Sequence, residues 1–197
     1  MRKVERSELL GLGAYEEIRS RFRERVIALK TRRRFELGEH MSIVFENHDT
    51  VLLQIQEMLR TERISDERAI VHELDTYNEL VPATGALSAT LFVEYDDKDE
   101  RARMLGRLAT LRRHVHLRLD DRRVTARFTT QFGEEMDRLP AVNYLAFDLG
   151  ASAADSAAER LRDAKLACVI EIDHPDYAVA LPLPTPLREQ LAQDLEG

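Results

Sequence analysis

The sequence predicts a single α+β domain over residues 1–197, with a mixed or largely antiparallel sheet, a helical hairpin and a long N-terminal amphipathic helix. Three observations predict it. Tyr15, Ile18, Phe22, Val26 and Leu29 recur every three or four residues, the spacing of one helix face. Met41, Ile43 and Phe45 alternate with Ser42 and Val44, the period of a strand. Two later stretches, 115–128 and 167–183, each place two strand-like runs around a short polar turn, as antiparallel hairpins do.

Each element follows in order. The first helix spans about 14–32, and its end carries Lys30, Arg32, Arg33 and Arg34, where cations suit the helix dipole. Leu37-Gly38 signals a turn before the strand at 40–46. Asn47 or Asp49 can cap the next helix, which runs to about Arg63 with Val51, Leu52, Ile55, Met58 and Leu59 inward. Ser65 suits a second cap, ahead of a helix with Ile70, Val71, Leu74, Tyr77 and Val81 on one face and Pro82 as its stop. The short joint makes these two a helical hairpin. Strands at 86–95 and 142–149, helices at 97–113 and 156–164, and a last helix to Leu195 complete the chain.

Composition excludes several classes. There is one cysteine, Cys168, so an internal disulfide framework, a cysteine-rich zinc site and a protein-held iron–sulfur cluster are out. No apolar run approaches the roughly 20 residues of a membrane span. The start MRKVERSELL lacks the apolar core of a signal peptide, so a cytoplasmic protein is expected. Charge is uneven. Residues 1–34 hold 11 Lys and Arg against 5 Asp and Glu, a net of +6; the whole chain carries −7, which leaves −13 on the remainder. A basic arm on an acidic body reads either as a docking surface for something anionic or as a helix packed on its own acidic domain. With no tryptophan and a negative net charge, nucleic-acid binding is not expected.

Chemistry is most plausible between Arg32 and Asn78. On a helical wheel Thr50, Gln54, Glu57 and Thr61 form one stripe beside the apolar face, while Glu73 flanks the second helix next to Tyr77. Antiparallel helices can bring Gln54, Glu57, Glu73 and Tyr77 together, with Arg32, Arg33 and Arg34 as bidentate partners. Glu62 and Asn78 fall on apolar faces and need partners of their own. One reading is a pocket for an anionic ligand: Arg33 or Arg34 holds it, Gln54 and Asn78 orient it, and Glu57 or Glu73 acts as general base. The other is a set of buried Arg–carboxylate pairs that fix the hairpin.

For a metal, Glu57 and Glu73 with His40 or His48 are the candidates. His40 and Glu46 share a strand face but lie roughly 20 Å apart along it. A Glu-x-x-His pair is missing from the hairpin helices. His114 and His116 share a strand face without a visible third ligand, and Glu171, Asp173 and His174 cluster at a turn. Gly-x-Ser-x-Gly, His-Glu-x-x-His and Gly-rich phosphate loops are all absent.

The run Arg32-Arg33-Arg34, Leu37-Gly38 and SIVFENHDTVLLQIQEMLRTERI (42–64), with HELDTYNELVP (72–82), SATLFVE (88–94), VNYLAFDL (142–149) and IDHPDY (172–177), resembles the bacterial family catalogued as domain of unknown function 3501. The likeness covers nearly the whole chain. Members are mostly single-domain proteins without an assigned activity, often encoded beside rubrerythrin and a heterodisulfide-reductase-like iron–sulfur protein. The resemblance implies an accessory role in a redox or peroxide-handling system, with one of those proteins as partner.

Overall fold

The computed structural model describes residues 1–129 and 137–196. The chain runs α1 (Leu12–Arg33), β1 (Arg34–Glu36), β2 (Met41–Phe45), α2 (His48–Thr61), α3 (Glu67–Tyr77), β3 (Ala86–Val93) and α4 (Lys98–Arg107). It continues with β4 (Val115–Leu119), β5 (Arg122–Thr125), β6 (Arg127–Phe128), β7 (Val142–Asp148), α5 (Ala154–Arg162), β8 (Cys168–His174), β9 (Tyr177–Pro182) and α6 (Thr185–Glu196). The strands form two sheets, β1-β2-β3-β7-β6 and β5-β4-β8-β9. Among the described residues every pairing is antiparallel, so the α+β expectation holds, with two antiparallel sheets there in place of one.

Register sorts the five-stranded sheet into two faces. Phe45, Ala89 and Leu145 stand side by side, as do Val44, Thr90 and Tyr144. The Phe45 face joins Leu117 and Ile170 of the second sheet and Leu161 and Leu191 of α5 and α6 in the main core. The Tyr144 face meets a second core, in which Val51, Ile55 and Leu59 of α2 pack with Ile70 and Leu74 of α3 and with Val4 and Leu9. Leu37–Gly38 ties the two sheets together. Gly38 has φ +85°, a Cβ there would meet the Tyr177 hydroxyl at 2.7 Å, and that hydroxyl donates to the Leu37 carbonyl.

Several local expectations are corrected. Helix α3 is capped by Asp66, whose Oδ1 accepts from the backbone N–H groups of Arg68 and Ala69 at 3.1 Å; Ser65 lies outside the helix. Its α-helical part ends at Tyr77 and tightens into a 3₁₀ turn over Asn78–Leu80, and Val81 is extended ahead of Pro82, which ends the helical run as expected; the buried Asn78 side chain accepts from Val4 N at 2.8 Å and donates to Val4 O at 2.9 Å. The 97–113 helix stops at Arg107 and resumes as a 3₁₀ turn at Leu111–Arg113; Leu108 and Leu111 are buried three apart in both geometries. Glu62 is exposed at the end of α2. The α1 stripe is weaker than its spacing suggests: Tyr15 and Val26 are buried, but Ile18 is 43% exposed.

Candidate functional site

Glu57 is the centre of a polar contact between α1 and α2. Tyr15 donates its hydroxyl to Oε1 at 2.6 Å. Arg19 clamps both oxygens, at 2.8 and 2.9 Å, and Arg23 lies 4.0 Å away. The Arg19 hydrogen bond holds the Glu57 carboxyl below the usual carboxylate range. Burial, then the bond to Glu57, pushes the Tyr15 phenol up. A carboxylate so saturated is poorly placed to act as a general base.

The arginines expected to meet it go elsewhere. Arg32 is exposed. Arg33 is buried and pairs with Asp194 of α6, donating also to the carbonyls of Phe45 at 2.8 Å and Glu46 at 3.4 Å. Arg34 opens β1 and pairs with Glu36 and Glu94 at the sheet edge. The expected link between the triple arginine and the hairpin carboxylates is thus replaced by one to the C-terminal helix, because α1 continues through Arg33 and carries it to the end of β2. Thr50 is spent in a reciprocal cap with Asn47. Gln54 has a buried Oε1 without a partner among the described residues. Asn78 is committed to Val4. Glu73 and Tyr77 stay close, the Glu73 charge contributing to a raised Tyr77 pKa behind burial and Tyr144.

The metal candidates are separated too. His40 stacks on Tyr95, ring centroids 4.1 Å apart. His48 lies between Glu8 and Asp49, 3.2 Å from each. Among the described residues no group of three His, Cys, Asp or Glu is placed to hold a metal ion.

Two groupings were not legible from spacing. The first surrounds Glu46, at the end of β2 and only 2% exposed. Its Oε1 accepts from the Thr90 hydroxyl at 2.6 Å, whereas Oε2 has no partner among the described residues. Tyr144 stands beside Thr90 on the next strand; burial and then the Glu46 charge raise its phenol pKa. The periodicity that puts Glu46 on the Val44 face was readable, but only sheet register brings Thr90 and Tyr144 to it.

The second grouping unites His114, His116, His174 and Asp173. His114 Nδ1 and His116 Nε2 meet Asp173 Oδ1 at 2.8 and 3.2 Å, and Arg123 donates to Oδ2 at 2.7 Å. Arg123 first, then His114, holds the Asp173 carboxyl well below its usual range. His174 accepts from Asp176 N–H on Nδ1 at 3.1 Å, so the neutral ring carries its hydrogen on Nε2 and donates to Thr110 at 3.0 Å. Burial, then the nearby His114, lowers the His174 pKa from 6.5. The unfolded chain therefore binds this proton more readily than the folded one. Stability from neutral His174 is complete above pH 6.5 and is lost as pH falls through the lower folded value. Urea unfolding at steps from pH 8 to pH 5 is expected to show that decline, and His174→Gln to flatten it; an unchanged slope in the variant would remove His174 as the source.

Helix α1 presents a different surface. Ile18, Arg21, Arg25 and Arg32 fall within about 60° of one another on its wheel. Arg21 and Arg32 are exposed and form no ion pair among the described residues. Arg25 lies over the Phe22 ring at 5.3 Å and reaches Asp49 only at 3.7 Å. A groove of about 370 Å³ runs along another side of the helix, lined by Glu16, Arg19, Ser20, Arg23, Glu24 and Ile27. No described helix is long and apolar enough to cross a membrane.

Comparison with known proteins agrees with this architecture. A crystal structure of a protein of unknown function from Burkholderia pseudomallei K96243 superposes with a TM-score of 0.89 at 36% identity, covering 98% of this chain and 100% of that one. No curated protein matches. The model of the family described as "Protein of unknown function (DUF3501)" matches residues 3–195. The chain belongs to the DUF3501 family.

Proposed function

We propose that this protein is a cytoplasmic accessory protein that docks through α1 onto an acidic protein surface, in a redox or peroxide-handling system. The observation that carries the reading is the basic stripe of α1: Arg21 and Arg32, exposed and without ion-pair partners among the described residues, beside Ile18 at 43% exposure. Other arginines of the arm are paired at home, with Glu8, Glu67, Glu57 and Asp194, whereas Arg21 and Arg32 are not. An exposed apolar side chain on the same helix face as unpaired arginines has the composition of a docking surface. The rubrerythrin-like or iron–sulfur proteins that the family resemblance implies are the candidate partners.

The test is surface plasmon resonance of the immobilised chain against a rubrerythrin and a heterodisulfide-reductase-like protein from the same organism. Binding is expected at low salt and is expected to weaken as salt rises. The variant Ile18→Asp/Arg21→Glu/Arg32→Glu should lose about tenfold or more in affinity while its melting temperature stays near wild type. Absence of binding by the wild type to either protein at low salt would defeat the reading.

A further inference from the structure

Strand β9 pairs with β8 alone and leaves its other side open. Its residues, Tyr177–Pro182, read YAVALP and carry no charge. Sheets usually guard an open edge with charged side chains, because its free N–H and C=O groups can capture another strand. The other edge strands of the two described sheets are guarded in this way, by Arg34 and Glu36 on β1, Arg122 and Arg123 on β5, and Arg127 on β6. The β9 edge has no such guard.

The phase of the ladder shows which groups it offers. In an antiparallel pair, bonded and non-bonded residue pairs alternate. Leu183 N–H donates to the Cys168 carbonyl at 2.8 Å, so the pairs Ile170–Leu181 and Ile172–Val179 are the bonded ones. On the other side of β8, Asp173 N–H donates to the His114 carbonyl at 3.1 Å, which gives the same phase. The backbone groups of Ala178 and Ala180 therefore point away from the sheet. Both residues are exposed, and no hydrogen bond to a described residue takes these groups up.

We propose that two copies of the chain pair antiparallel through β9, about a two-fold axis at Val179, joining two four-stranded sheets into one continuous sheet. In this register Ala178 of each copy exchanges both backbone bonds with Ala180 of the other. The next outward pair sets Pro182, which has no N–H, opposite Asp176, whose N–H is already bonded to His174 Nδ1 at 3.1 Å. No donor is left over. Centring the axis on Ala178 would instead set the Ala180 carbonyl opposite the spent N–H of Asp176, and centring it on Ala180 would set the Ala178 carbonyl opposite Pro182. The edge is thus complementary to itself in one register, as a two-fold interface requires. Side chains agree with it. Val179 meets its own copy, Tyr177 faces Leu181, and the small Ala178 faces Ala180, so nothing bulky or charged opposes its like. The nearest charges on β8 are neutralised within each copy, Glu171 by Arg118 and Arg123, and Asp173 by Arg123. The interface uses no residue of the α1 docking stripe and does not depend on it.

Sedimentation velocity of the full-length wild type, up to about 100 μM, is expected to show a monomer–dimer equilibrium. Ala178→Lys/Ala180→Lys places lysine against lysine across the axis and should raise the dissociation constant by about tenfold or more. Ala178→Glu/Ala180→Glu should do the same alone, and mixing the two variants should restore a dimer of mixed composition, which misfolded chains would not form. Ala180→Pro removes an N–H that β8 does not use and should also weaken the dimer. Val179→Cys reads the register. Its Cα atoms would lie about 4.5 Å apart across the axis, within reach of a disulfide, so mild oxidation should give a covalent dimer, whereas Ala180→Cys, off the axis, should not. A wild type that stays monomeric at about 100 μM would overturn the proposal, whether or not an extended segment of another protein adds to the edge. A dimer unaffected by the lysine pair, or one that Val179→Cys does not cross-link, would place the contact elsewhere and overturn it as well. If Ala180→Pro does not fold, the mixed lysine and glutamate variants still decide.

Discussion

Replacing Arg33 by alanine is expected to destabilise the protein by about 3–5 kcal/mol, the usual cost of removing one partner of a buried ion pair. The Arg33 side chain is 3% exposed and that of Asp194 8%. Three contacts go together: the Asp194 carboxylate, the Phe45 carbonyl at 2.8 Å and the longer bond to the Glu46 carbonyl. Burial already pushes the Asp194 carboxyl above its ordinary 3.8 while Arg33 pulls it back. Without Arg33 the folded-state pKa rises further. A carboxyl raised in the folded state is tolerated below its unfolded pKa and penalised as pH rises towards and through the folded one. The variant should therefore lose more stability at pH 7.5 than at pH 5, and Asp194→Asn in the same background should recover part of the loss at pH 7.5. Urea unfolding at the two pH values measures both effects. A loss below about 1 kcal/mol at pH 7.5, the scale of an exposed pair, would show that this pair does not hold α1 against α6.

That pair also marks the limit of what sequence periodicity can say. The run Arg32-Arg33-Arg34 is plainly a charge cluster, and partners for it could be sought nearby in the chain. Its real partner is 161 residues away, reached because α6 returns beside the end of β2. Local rules served well where the cause was local. The Asn47 cap, the strand of Met41–Phe45 and the hairpin at His174–Tyr177 all lie where side-chain spacing and turn chemistry put them. They failed where a distant backbone decided the outcome, as at Asn78, whose side chain is taken up by Val4 and not by the hairpin site. Glu57 shows both cases. Its stripe on α2 was readable, yet its arginine came from the middle of α1 rather than its end. The histidines were visible as a pair on one strand and a cluster at one turn. Only the pairing of β4 with β8 sets Val115 opposite Ile172 and so brings His114 and His116 to Asp173.

Gly85→Ala is the second change with a large expected effect, about 3 kcal/mol or more of lost stability. Gly85 sits at φ +74°, and a Cβ there would lie 2.5 Å from the Gly150 carbonyl carbon and oxygen and 2.6 Å from Ala151 Cα. The left-handed conformation alone costs an alanine about 1–2 kcal/mol. The rest comes from the contact, because every neighbour is backbone and none can swing aside. The two loops are also tied, Leu149 N–H donating to the Gly85 carbonyl at 2.9 Å, so relief requires moving the ends of β3 and β7 together. Those strands carry Thr90 and Tyr144. A displaced Gly85 loop should therefore disturb the surroundings of Glu46 as well as stability, visible as altered Tyr144 ring signals in the folded fraction. Gly13→Ala is the matched control. It lies in the first turn of α1 with nothing within 4 Å of its Cβ position, and replacing glycine there should stabilise by up to about 0.5 kcal/mol. Opposite signs for the two variants in one set of thermal melts would locate the penalty in the Gly85–Gly150 approach. A Gly85→Ala protein as stable as wild type would show that the approach is not what seats β3 against β7.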